Sequence, residues 1–178
     1  MNIPRLLVLI TIIMAAAASR LLPHPPNVAP IGAMALFGGA SFGDRRLAFV
    51  VPLAAMILSD LVIGFHRTLP FVYGAFALIV LIGFWLRRHR TTLGVVGAML
   101  AGSIVFFLLA NFGVWVLGSF YPRTLEGLLA AYVAAIPFFR NTVVGDLFYA
   151  TVLFGGQALL ERSYGVLREH QRTIPGQP

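Results

Sequence analysis

Thr91–Gly118 reads TTLGVVGAMLAGSIVFFLLANFGVWVLG, 28 residues without a single charge. A helix needs roughly 20 mostly apolar residues to cross a bilayer, so this stretch sets the class: the solvent of this chain is lipid. The rest of the sequence agrees. Of 178 residues, 59% are hydrophobic and 11% charged, and the mean hydropathy is +0.89. A soluble domain carries about a quarter charged residues. A disordered chain, a nucleic-acid-binding domain and an ordinary soluble enzyme are thereby excluded. With no cysteine, disulfide frameworks, thiolate catalysis and cysteine-held metals are excluded too.

Working outward, Leu6–Leu22, Leu47–Phe65, Leu69–Leu86 and Thr142–Leu160 are each long and apolar enough to cross. Leu6–Leu22 ends where Pro23, Pro25 and Pro26 forbid further helix. Arg5, the apolar core Leu6–Met14 and the small residues Ala15–Ala18 also have the layout of a secretory signal. Ile31–Phe42 is apolar but only 12 residues long, about 18 Å at helical rise, so it is a half-span or borrows its flanks. Leu125–Phe139, 15 residues ending just after Pro137, is expected as a short outer re-entrant or surface helix. The expectation is an all-α polytopic protein of about six transmembrane helices plus that extra short helix. Residues 1–160 form one helical domain and 161–178 a polar cytoplasmic tail.

Arginine placement orients the bundle. All 13 basic residues are arginine, mostly at the ends of apolar runs. Six crossings with the N-terminus inside put Arg5, Arg45, Arg46, Arg87, Arg88, Arg90, Arg162, Arg168 and Arg172 inside. Arg20, Arg67, Arg123 and Arg140 are then outside. Nine against four satisfies the positive-inside rule. Both termini are expected in the cytoplasm of a bacterial inner membrane. The net charge of +7 is thus a topology signal, not a nucleic-acid footprint, which needs a contiguous basic face. Arg45-Arg46 and Arg87-Arg88-His89-Arg90 set topology first and offer a contact to anionic lipid or a cytoplasmic partner second.

The polar residues inside the apolar runs gather toward the outer side. Arg20 closes the first span, and His24 and Asn27 follow it. Asp60 lies near the end of Leu47–Phe65, ahead of His66 and Arg67. Asn111 and Trp115 share a helical face in the outer part of Thr91–Gly118, and Asp146, with Tyr149 beside it, lies near the outer end of the last span. The inner halves are expected to be small and aliphatic. A charge at the bilayer centre costs about 2.5–3.5 kcal/mol on insertion scales, and such residues usually face a cavity. The pattern therefore predicts an outward-facing polar cup lined by Arg20, Asn27, Asp60, Asn111, Trp115 and Asp146. Each has a plainer reading. Asp60 and Arg67, seven apart, can pair; Asp146 can neutralise Arg20 or Arg140; Trp115 can be an interfacial anchor. The non-helical Pro23–Pro30 run, Gly38-Gly39 and Pro52, which predicts a kink, fit either packing or unwound backbone at a cavity. Thr11, Ala15 and Ser19 recur at the spacing of a close helix contact, internal or to a partner.

Asn27–Ala40 (NVAPIGAMALFGGA), Leu58–His66 (LSDLVIGFH), Phe106–Trp115 (FFLLANFGVW) and Ala135–Asp146 (AIPFFRNTVVGD) resemble the signature of an uncharacterised family of small bacterial membrane proteins, across most of residues 15–157. More loosely, the chain is similar to the substrate-binding S components of energy-coupling-factor (ECF) vitamin transporters. The shared features are the length, six helices, a proline-rich stretch after the first helix and a short second segment ending in Phe42-Gly43. That likeness implies capture of a vitamin or cofactor precursor from outside and an energising ATPase module as partner. The nickel and cobalt members of that class begin with a methionine-histidine metal site; here Met1-Asn2 stands instead, and no metal or other cofactor is expected.

Three functions compete. The first is a membrane subunit that binds and helps import a small polar or aromatic solute. Arg20 would hold an anionic group, Asp60 and Asp146 a cationic or donor group, Asn111 an amide-type group, and Trp115 would stack. The second is an intramembrane enzyme using Asp60 and Asp146 as an acid/base pair. VVGD at Val143–Asp146 resembles the Gly-x-Gly-Asp of intramembrane aspartyl proteases, with valine for the first glycine, and Asp60 follows Ser59 rather than tyrosine. The third is an accessory membrane protein whose polar residues only pair with one another.

Overall fold

A computed structural model describes residues 2–168. Within them the chain is all-helical: α1 (Ile3–Ser19), α2 (Ile31–Ser41), α3 (Arg45–Ile63), α4 (Leu69–Leu86), α5 (Thr92–Leu117) and α6 (Leu125–Ser163), then one 3-10 turn at Gly165–Leu167. By length and composition α3, α4, α5 and α6 can each cross a membrane; α1 and α2 are shorter apolar helices. Asn2, Asp44, Thr91 and Thr124 cap α1, α3, α5 and α6, each side chain accepting a backbone N–H of the first turn. Large apolar side chains such as Leu61, Val62, Leu93 and Phe148 stand on the outside of the bundle, as lipid-facing surfaces do and soluble surfaces rarely do.

The bundle is built around α2. Every residue from Gly32 to Ser41 is buried, and α2 touches all five other helices. Its sequence is apolar on all sides, which suits only a wholly enclosed helix. Two adjacent glycines make the enclosure tight. Gly38 faces Pro52 and Ala48 of α3, and Gly39 faces Gly83 of α4, where a Cβ added to Gly83 would stand 2.6 Å from the Leu36 carbonyl oxygen. Pro52 lies inside a continuous α3, its ring seated against Gly38. Phe37, Phe76, Met34, Met56 and Ile79 fill the surrounding core.

One expectation is corrected here. Leu125–Phe139 is not a separate short helix: it is the first part of the 39-residue α6, which runs through Pro137, Arg140 and Asn141. The polar pair does not force a turn, because Arg140 is exposed and the Asn141 side chain donates to the Pro26 carbonyl at 3.0 Å. The first part of α6 packs back along α5, with Tyr132 Oη donating to the Leu108 carbonyl (2.9 Å) and the Phe107 ring against Phe139. The described part of the segment from Glu161 is tied to α1. Leu167 is buried, Asn2 donates to the Val166 carbonyl (2.6 Å), and Arg5 donates to the Leu167 carbonyl (2.8 Å). The remainder of that tail, with Arg172, lies outside the described residues.

Candidate functional site

One end of the bundle, here called the Arg20 end, is formed by the C-termini of α1, α3 and α5, the N-termini of α2 and α4, and the middle of α6. Arg20 follows α1 directly, and its guanidinium reaches across to α3. It donates to Asp60 Oδ1 at 2.7 Å and to Ser59 Oγ. Tyr73 of α4 donates its hydroxyl to Asp60 Oδ2 at 2.7 Å. Both oxygens of a carboxylate only 2% exposed are thus taken. A buried ion is tolerated when it is paired and its other lone pairs are satisfied, and this one is.

Asp60 does not pair with Arg67. Seven residues share a face only while the helix lasts; α3 stops at Ile63, and Gly64, at φ 103°, turns the chain away. Asp146 does not meet Arg20 or Arg140 either. It accepts from Ser103 Oγ of α5 at 2.7 Å and lies against the first turn of α2, where Ala33 offers its backbone N–H. A methyl on Gly32 would sit 2.6 Å from Asp146 Oδ1. The first turn of a helix leaves N–H groups without partners and carries partial positive charge. Pro30, at the N-cap of α2, supplies no side-chain cap. Asp146 fills that role from another helix.

Above these pairs lie two adjoining volumes, of about 400 and 410 Å³. They share Arg20, Asn27, Ile31, His66, Phe106 and Thr142, so they form one chamber. His24 and Asp146 line the first volume; Asp60, Asn111, Phe107 and Phe139 line the second. The Pro23–Pro30 loop forms its rim. The loop is fastened to α6 by the Asn141–Pro26 bond and by the close fit of Val28 on Gly145, and Asn27 within it has φ 64°. Asn tolerates that left-handed conformation better than most residues.

Five of the six residues expected in the cup therefore meet at one chamber: Arg20, Asn27, Asp60, Asn111 and Asp146. Trp115 does not. Its Nε1 donates to the Pro122 carbonyl at 2.9 Å, the Arg123 guanidinium lies over its ring, and it lines neither volume. Val114 still lines the second volume, but the Trp115 side chain next to it turns away toward the α5–α6 turn. Charge recognition is also redistributed. Arg20 and Asp60 neutralise each other, and Asp146 serves α2. The groups left to meet a solute are the amides of Asn27 and Asn111, the imidazoles of His24 and His66, and phenylalanine rings. Asn111 gives its amide nitrogen to the Phe107 carbonyl of its own helix at 2.8 Å, so its side-chain oxygen remains as acceptor. The two aspartates share no hydrogen-bond partner among the described residues. Among the described residues no cluster of three or more His, Cys, Asp or Glu is placed to hold a metal ion.

Residues 1–171 match a family model. The chain belongs to DUF6580, a family of unknown function. No curated protein and no solved structure matches it. For this DUF6580 protein the chamber geometry is therefore the main guide to function.

The opposite end, here called the Arg5 end, overturns one expectation. It is not purely aliphatic. Arg5 and Gln157, each 4% exposed, are buried there with Ser41. Arg5 pairs with Glu161 at 2.9 Å, Gln157 donates to Glu161 at 2.7 Å, and Ser41 and Arg90 donate to Gln157 Oε1 at 2.9 and 3.1 Å. Gln157, a lone amide in the run FGGQALL, was the available signal for this second network.

Proposed function

We propose that this protein is a membrane subunit that captures a small, uncharged polar or aromatic solute in the chamber at the Arg20 end. In this reading the bundle crosses six times, both termini lie in the cytoplasm, and the chamber opens outward. The observation that carries it is the pair of adjoining volumes beneath the Pro23–Pro30 loop. A pocket of several hundred Å³ with mostly apolar walls and a few polar groups is the usual form of a small-molecule site. Phe106, Phe107 and Phe139 would offer faces to a planar ring, and Asn27, Asn111, His24 and His66 would read its polar edge. The likeness to ECF S components supports a vitamin or cofactor precursor as the solute class and adds an energising ATPase module as partner.

The test is a thermal-shift screen of the detergent-purified protein with vitamins and their precursors, repeated with Asn111→Ala and His66→Ala. The expected result is stabilisation by one uncharged aromatic compound, lost or weakened in both variants. No shift with any compound, together with unchanged uptake in a deletion strain, would overturn the proposal.

A further inference from the structure

A third cavity, about 370 Å³, lies at the Arg5 end between the start of α5 and the last part of α6. None of its lining residues lines the chamber. Its floor is apolar: Val95 and Val96 of α5, and Leu147, Ala150 and Phe154 of α6. Its polar groups are Arg90, Thr91, Thr92, Gln157 and Glu161, gathered at the end of the trough apart from Thr151. From Glu161 to Leu147 the α6 wall is about 21 Å long at helical rise.

The trough exists because α5 and α6 do not close on each other here. They meet at Ser103–Asp146. Toward the Arg5 end, however, a Cβ placed on Gly97, Gly155 or Gly156 would find nothing within 4 Å. Small residues in membrane helices normally let backbones approach closely; these three have no neighbour to receive. Val96, Thr151 and Ala158 are exposed, so the trough opens on the outer flank of the bundle, where lipid stands.

The polar end lies at headgroup level. Trp85, half-exposed and stacked on His89 at 4.5 Å, is the kind of ring that sits at a membrane interface, and Arg90–Thr92 follow it directly. Charge favours an anion there. Arg45, Arg46, Arg87, Arg88, Arg90 and Arg162 gather at this end against Asp44 and Glu161. Asp44 caps α3, Glu161 is held by Arg5 and Gln157, and Arg90 is fixed at the trough by donating from one nitrogen to Ser41 and Gln157 with its guanidinium over the Phe154 ring. The uncapped Thr92 and Leu93 N–H groups of α5's first turn and the Thr92 hydroxyl add donors beside Arg90.

We propose that this trough seats an anionic phospholipid, its phosphate at Arg90, Thr91 and Thr92 and one acyl chain along Val95, Val96, Ala150 and Phe154. An apolar flank with a cationic, donor-rich end is complementary to that molecule and to neither a free phosphate nor an uncharged lipid. The test uses the full chain in an uncharged detergent. Native mass spectrometry reads retained phospholipid, and thermal shifts are recorded with phosphatidylglycerol, phosphatidylcholine and inorganic phosphate. Phosphatidylglycerol is expected to stabilise most and phosphate alone not at all. Arg90→Gln should weaken the phosphatidylglycerol response about fivefold, the worth of one basic residue at a membrane surface. Gly155→Leu, whose Cβ finds nothing within 4 Å, should fill the trough and abolish retention while leaving the unliganded protein folded. Equal responses to the two lipids, a response to phosphate matching that to lipid, or undiminished retention in Gly155→Leu would each overturn the proposal. So would a Gly155→Leu effect on dimerisation in place of lipid retention, which would assign the trough to a second copy.

Discussion

Arg20 and Asp60 are 40 positions apart and bond at 2.7 Å, with side chains 9% and 3% exposed. Removing one member of such a pair leaves an uncompensated buried charge, which typically costs 3–5 kcal/mol. Arg20→Gln and Asp60→Asn should therefore each lower unfolding stability in detergent by about that much, and the double variant by clearly less than the sum. Tyr73→Phe should cost about 1 kcal/mol, the worth of one hydrogen bond. Asn27 has two roles to separate. Asn27→Gly keeps the left-handed backbone but loses the amide; Asn27→Ala keeps neither easily and should cost about 1–2 kcal/mol. If the amide reads solute, Asn27→Gly should fold normally and lose the ligand-induced thermal shift. At this scale the sequence discloses which residues are polar in apolar surroundings, but not their partners. Arg67 looked like the partner of Asp60 only on the assumption that α3 continues past Gly64. Tyr73 and Ser103 belong to helices whose rotation about α3 and α6 no local spacing encodes.

At the scale of the element, α4 matches its expected bounds, Leu69–Leu86, and α3 and α5 differ from theirs by one or two residues at each end. Long apolar runs between arginines and prolines leave little choice. The break expected between Leu125–Phe139 and Thr142 fails because length and polarity were read as a turn where Asn141 simply finds an acceptor in another loop. The glycine contacts of α2 give a direct test of its enclosure. Gly83→Ala would press a methyl onto the Leu36 carbonyl and should destabilise by about 1–3 kcal/mol, as overpacking does. Gly74→Ala, on the same helix with open space around it, should be neutral or slightly stabilising. Gly32→Ala should resemble Gly83→Ala, because it displaces the Asp146 carboxylate from the α2 N-terminus. Unfolding curves of the three variants check all of this together.

For the whole molecule, the absence of cysteine makes orientation measurable in the native background. His24→Cys should react with a membrane-impermeant maleimide in intact cells. Arg162→Cys should react only after permeabilisation. The reverse pattern would invert the bundle and close the proposed chamber to outside solutes. Arginine bias is the sequence's argument for this orientation, and the gathering of Arg20, Asp60, Asn111 and Asp146 made the chamber legible. What stayed hidden was the second polar network, because Arg5 and Glu161 read as flanking charges and not as partners across α1 and α6.

One property of α2 reaches further than its packing. The helix is a rod of 11 residues, about 17 Å long, gripped on all sides. At its start it is held by Asp146, and at its finish Ser41 is tied to Gln157 and Arg90. A rod so confined cannot bend to absorb a push; it can only slide or turn as a unit. Displacing the Asp146 anchor should therefore be read out at Ser41 and Gln157, linking the Arg20 end of the bundle to the Arg5 end through its one enclosed helix.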